Sequence, residues 1–179
     1  MTQHEYVFVA VSIILGLAIT RLLHTVAMLI RAKARVSFHW SSAVYGLNVL
    51  AYTLQFWWVG WGLHDKQVWA FSDFLVLVFG SICIYGAAEL AFPVPNEGEL
   101  DMWQHNQGLG RLSALSLLAY FSVGPYVNIS MYGNPILAAL TLPAIGAALM
   151  GLMIFMPRWF KTLSVVFSLY TFVILYLTA

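Results

Sequence analysis

Six runs of mainly apolar residues, separated by short polar stretches, dominate this chain. A helical membrane span needs roughly 20 predominantly apolar residues. The runs fall at Tyr6–Ile30, Trp40–Leu63, Ala70–Phe92, Leu112–Tyr132, Pro135–Met156 and Thr162–Ala179. In hydrocarbon every backbone N–H and C=O must be satisfied within the protein, which leaves helices and closed barrels. Barrel strands alternate apolar and polar side chains, and these runs do not. The sequence therefore predicts an all-α, polytopic integral membrane protein, a single helical bundle over residues 1–179 with six transmembrane helices. Charge agrees: 8% of the residues are charged and 61% hydrophobic, against roughly 25% charged in a soluble domain. So little charge cannot cover a water-facing surface.

Orientation follows from where Lys and Arg fall, since they concentrate in cytoplasmic loops. With six spans, Arg31, Lys33, Arg35, Arg111, Arg158 and Lys161 share one side, and Lys66 alone lies on the other. Loops 31–39, 93–111 and 157–161 are thus expected in the cytoplasm, with both termini outside, in the inner (plasma) membrane of a bacterium. Trp57, Trp58, Trp61 and Trp69 bracket the outer loop, and Trp40, Trp103 and Trp159 fall near the inner face, as an interfacial aromatic belt requires. The amino end MTQHEY lacks a basic region, so the first run reads as a span and not as a cleaved signal peptide.

Ionisable residues inside spans cost at least ~2.5 kcal/mol each on insertion scales and need partners. Arg21 lies about 13 Å and His24 about 9 Å from the inner end of the first run at 1.5 Å per residue. Asn48, Glu89 and Tyr120 come within reach of that inner half by the same rise. An intramembrane polar cluster of Arg21, His24, Asn48, Glu89 and Tyr120 is expected, with Glu89 balancing Arg21 or His24.

The second run carries Ser41, Tyr45, Asn48, Tyr52 and Gln55 at steps of four, three, four and three, which aligns them on one helix face. Ser12, Gly16, Thr20 and His24 recur every four residues, and the fifth run pairs Ala144 with Ala148 and Ala147 with Gly151. Small residues at this spacing let helices approach closely. Gly124-Pro125 and Pro143 interrupt two spans and predict kinks there.

Several function classes drop out. No basic tract is dense enough for nucleic acid. Cys83 is the single cysteine, which excludes an intramolecular disulfide. Glu97, Glu99, Asp101 and His105 share the inner loop, but nothing fixes a ligand geometry, and a solvated acidic loop is the simpler expectation. His24 and His39 are the two histidines placed for a haem near the inner face. A lone membrane histidine is far more often a hydrogen-bonded packing residue, and no cofactor or metal is expected. Phe71-Ser72-Asp73 resembles the Phe-Ser-Asp signature of a family of lysosomal and bacterial potassium channels. Gln67 stands where that signature has an arginine, and the signature belongs to a first span, so no family follows from it. No catalytic motif is present.

Two functions fit these observations: an oligomeric transporter or channel for a small ion or solute, or a non-transporting accessory subunit of a membrane complex. The expected partners are the lipid bilayer and either further copies of the chain or other membrane proteins.

Overall fold

The computed structural model describes residues 2–95 and 98–178. The chain forms helices α1 (Gln3–Arg31), α2 (Trp40–Trp61), α3 (Phe71–Leu90), α4 (Met102–Gln107), α5 (Gly110–Phe121), α6 (Val123–Tyr126), α7 (Ile136–Phe155) and α8 (Phe160–Thr178). Five helical stretches are long and apolar enough to cross a membrane: α1, α3, Gly110–Met131, α7 and Pro157–Thr178. Helix α2 has 22 residues and equal length, but its serines, tyrosines, asparagine and glutamine leave it less apolar. Ala179 and Glu97 lie outside the described residues.

Local signals set the helix ends. Thr2 accepts a hydrogen bond from the Glu5 amide, and the Glu5 carboxylate accepts one from the Thr2 amide, the reciprocal capping that starts a helix. Asp73 accepts from the Ala70 amide at 3.1 Å, pairs with Lys66 at 3.4 Å and receives the Tyr126 hydroxyl at 2.9 Å. The charges of the outer loop are thus used to cap and tether α3.

The bundle closes as a ring in the order α1, α3, α5, α7, α8, α2, with α2 also against α3. Helix α1 buries Val7, Val11, Leu15, Ala18, Leu22, Thr25 and Leu29, at steps of three and four that trace one helical face. Its other faces expose Ile13, Leu17, Leu23 and Ile30. A helix apolar all round belongs in lipid or in a large core, and these exposed side chains form the outer skin of the bundle. Buried hydroxyls turn back on their own helices. Thr53 donates to the Val49 carbonyl, Ser81 to Leu77, Ser164 to Phe160 and Thr171 to Phe167, which satisfies them without water.

The break predicted at Gly124-Pro125 occurs, whereas α7 runs on as α-helix through Pro143. The fourth span stops being regular α-helix at Ser122 and continues through α6 into a π-helical turn, Val127–Met131. Gly124 lies so close to the Pro143 ring of α7 that a Cβ there would come within 2.8 Å of it. Glycine lets the two helices meet where proline has already removed a backbone donor.

Glu99 and Asp101 are exposed, as a solvated acidic loop requires, but residues 98–111 also carry ordered structure. Leu100–Asp101 pairs in parallel with Val36–Ser37, and Asp101 caps α4 through the Trp103 and Gln104 amides. Met102 and Asn106 are buried, and Asn106 donates to Ser42 of α2 at 2.6 Å. Phe92 presses its ring onto Gly46 of α2. Apolar anchors and one buried amide hold residues 98–107 as a cap against the end of the bundle where α2 begins.

Candidate functional site

Of the five residues expected to converge in the inner half, the structure brings two together. Arg21 Nε meets Glu89 Oε2 at 2.6 Å across α1 and α3, and among the described residues neither atom has another hydrogen-bond partner. The side chains are 34% and 31% exposed, so the pair sits on the flank of the bundle rather than in its interior. His24 is exposed. Asn48 is turned toward α8, where its amide donates to Ser168 at 2.8 Å. Tyr120 lies at mid-depth and donates to Gln55 Oε1 of α2 at 3.1 Å. The helices carry Asn48 and Tyr120 to interfaces other than that of Arg21 and Glu89.

The stripe on α2 is buried. Ser41, Tyr45, Asn48 and Tyr52 are 0–5% exposed, and Gln55 is half-buried at the outer end. Tyr45 shares a hydrogen bond with Ser113 of α5, which in turn donates to the Ala87 carbonyl of α3. One α2 side chain thereby ties two neighbouring helices. Tyr52 packs against Phe121, Phe167 and Tyr120 with ring centroids 5.4–5.9 Å apart. This aromatic layer fills the centre of the bundle.

The predicted small-residue stripes behave differently. Ser12 and Gly16 are partly exposed, and Thr20 is exposed and donates to the Gly16 carbonyl. A Cβ at Gly16 or Gly151 would meet nothing within 4 Å. Ala144 and Ala148 face outward, and only Ala147 packs onto the core. These stripes do not join helices within this chain. Gly46 and Gly146 do, lying under the rings of Phe92 and Phe121.

Around the inner cap, His39 Nδ1 bonds the Ser41 hydroxyl at 2.7 Å, and its ring lies 4.9 Å from that of Trp103. Burial and then the Lys161 ammonium hold the His39 pKa below its ordinary value, against the pull of Asp101. His105 Nε2 bonds the Leu90 carbonyl at 3.0 Å, and burial lowers its pKa despite that bond. Glu99, Asp101 and His105 do not converge; among the described residues no three of His, Cys, Asp and Glu do.

Sequence reasoning missed a polar cleft between the helices. A cleft of about 470 Å³ opens between α2, α5–α6, the π turn and α8, at the end of the bundle where α2 and α8 finish. Roughly 300–1,000 Å³ is the range of small-molecule sites. Gln55, Trp58, Tyr120, Asn128, Tyr132 and Asn134 supply its character, and no Asp, Glu, Lys, Arg or His lines it. Tyr132 donates to the Val59 carbonyl and Asn128 to the Gly124 carbonyl, but among the described residues no acceptor takes the Gln55 amide N–H groups. The floor is Phe56 and Tyr120, backed by the central aromatic layer. Asn128, Tyr132 and Asn134 flank the turn at Gly133, whose φ is +68°. That glycine was the one local signal available, marking a tight outer turn.

By helix length and hydropathy this is a membrane-embedded, all-α protein. No protein-family model, no curated protein and no solved structure matches the chain.

Proposed function

We propose that this chain is a small membrane transporter whose substrate site is the outer cleft, and that the substrate is uncharged. One observation carries the reading: a cleft of about 470 Å³ that is open at the outer end and stopped at mid-depth by Tyr120 and Phe56. Below it, Tyr45, Val49, Tyr52, Phe167 and Met150 are at most 2% exposed, which leaves no continuous pore through the chain. The opposite end is covered by the cap of residues 98–107. A site open to one side and closed to the other suits alternating access better than a channel. The lining is aromatic and amide-bearing without charge, and an ion would find no counter-charge there.

In this reading α2 is the sixth span. Its polar side faces the bundle, so its modest apolarity is no obstacle to crossing. Both termini lie outside, loops 31–39, 93–111 and 157–161 face the cytoplasm, and the membrane is a bacterial inner membrane. Arg21–Glu89 is a structural pair that holds α1 to α3 and neutralises both charges in lipid.

The test is flux in proteoliposomes, with H⁺, K⁺ and a panel of radiolabelled uncharged compounds, both water-soluble and amphiphilic. Saturable uptake of an uncharged compound is expected, lost in Gln55→Leu and retained in Glu89→Gln at equal folded yield. Ion conductance would replace the transporter with a channel. No flux from folded protein would favour a second reading, an accessory subunit. The open faces at Gly16 and Gly151 support that alternative, since both suit close approach by another copy or another membrane protein.

A further inference from the structure

A second concavity adjoins the cleft and differs from it in chemistry. It is a groove of about 630 Å³ along the outer ends of α2 and α8, walled by Leu54, Trp57 and Leu175. Gln55, Trp58, Trp61 and Thr178 line both the groove and the cleft. Trp58 Nε1 donates to the Thr178 carbonyl at 3.0 Å, a hydrogen bond joining α2 to α8 between two residues that line both spaces. The groove is almost wholly apolar. Leu54, Trp57, Trp58 and Trp61 are 43–64% exposed, on the bundle surface that the tryptophans place at the outer interface.

A polar, uncharged pocket that shares a wall with an apolar trough matches one kind of ligand. We propose that the cleft and groove together bind a bilayer-borne amphiphile, with an uncharged, hydroxyl-bearing head in the cleft and a hydrocarbon tail in the α2–α8 groove. The head is neutral because no Asp, Glu, Lys, Arg or His lines the cleft. It carries hydroxyls because the cleft offers both kinds of partner: the unused Gln55 N–H groups donate, and the Asn134 carbonyl oxygen accepts. It brings a tail because the cleft shares Gln55, Trp58, Trp61 and Thr178 with the apolar groove beside it. The ligand therefore enters laterally from the outer leaflet. This inference rests on the outer cleft being the substrate site.

The probe is a monoacylglycerol with a diazirine in its acyl chain, added to the full chain in phosphatidylcholine nanodiscs and cross-linked by light. Saturable cross-links are expected on residues 54–61 and 175–178, competed by monoolein but not by oleate or glycerol. Gln55→Leu removes one head-group bond and is expected to weaken monoolein competition about two- to tenfold. Leu175→Trp fills the groove and abolishes the labelling while folded yield is unchanged. Labelling spread evenly over α7, with no saturation, overturns the proposal. Equal competition by oleate overturns the neutral head, and equal competition by glycerol overturns the role of the tail. Saturable labelling without any flux would remove the transporter and keep the ligand site. Flux of a small solute that monoolein does not affect would do the reverse.

Discussion

Helices α2 and α7 have nearly the same length, 22 and 20 residues, yet they solve opposite problems. Helix α7 consists almost entirely of apolar residues, but it buries only Ala139, Gly146, Leu149, Met150 and Met153. Helix α2 carries two serines, two tyrosines, an asparagine and a glutamine, and it buries ten positions, Ser41, Tyr45, Asn48 and Tyr52 among them. In a water-soluble bundle the more apolar helix would be the more enclosed one. The reversal follows from the solvent. Hydrocarbon gives no advantage to burying a leucine, but leaves an unpaired hydroxyl or amide several kcal/mol uphill. The polar helix therefore goes inside, where Ser113, Ser168 and Asn106 meet its side chains.

The largest test of this contrast is a charge on the outer face of α7. Ile145 is 45% exposed at mid-helix. Ile145→Lys is expected to cost about 2.5–3.5 kcal/mol of insertion free energy and to reduce the membrane-inserted fraction sharply. Normal insertion would mean that this face meets water or protein and would break the comparison. Next come two glycines. At Gly46→Ala the new methyl would run into the buried Phe92 ring, and overpacking of this kind costs roughly 1–3 kcal/mol. At Gly151→Ala nothing lies within 4 Å, and the change is expected to be neutral or to stabilise by up to about 1 kcal/mol. Thermal unfolding in detergent separates them. Equal destabilisation at Gly151 would show that another chain packs there. Tyr45→Phe removes the hydroxyl shared with Ser113, while Ser113 keeps the Ala87 carbonyl. Its cost is expected near 0.5–1.5 kcal/mol.

The smallest effect concerns pH at the inner cap. The His105 pKa is lowered in the folded protein, so the neutral ring is the form that docks. Its contribution is complete above the ordinary value of 6.5 and is lost as pH falls through the lowered one. Protection factors of the amides of residues 98–107, corrected for the intrinsic pH dependence of exchange, are expected to be lower at pH 5 than at pH 7.5, and His105→Gln should flatten that difference. The His39 pKa is displaced in the same direction and adds to the trend.

How much of this was readable beforehand depended on sequence distance. Helix positions were: the fifth run, 135–156, became α7 at 136–155, because a stretch of that length and apolarity has no other structure in lipid. The α2 stripe was also legible, since its spacing follows from helical periodicity alone. The role of Ser12, Gly16 and Thr20 was not. They sit one residue past Val11 and Leu15 of the buried face, about 100° around the helix at 3.6 residues per turn, and face outward. Only the partner helix decides which of two neighbouring stripes is covered. Asn106 on Ser42 and Tyr120 on Gln55 join residues 64 and 65 positions apart. No local pattern reports such contacts, so the cap and the cleft emerged only with the fold.

The most direct test is labelling with a membrane-impermeant maleimide in sealed, right-side-out vesicles. Cys83 is the single native cysteine and is buried, so Cys83→Ala gives a silent background. Gln55→Cys should react without permeabilisation, through the outer cleft, while Asp101→Cys on the inner cap reacts only after the membrane is opened. Reaction of Asp101→Cys in sealed vesicles, or an inert Gln55→Cys under both conditions, would contradict a bundle whose polar helix lines a cleft open to the outside.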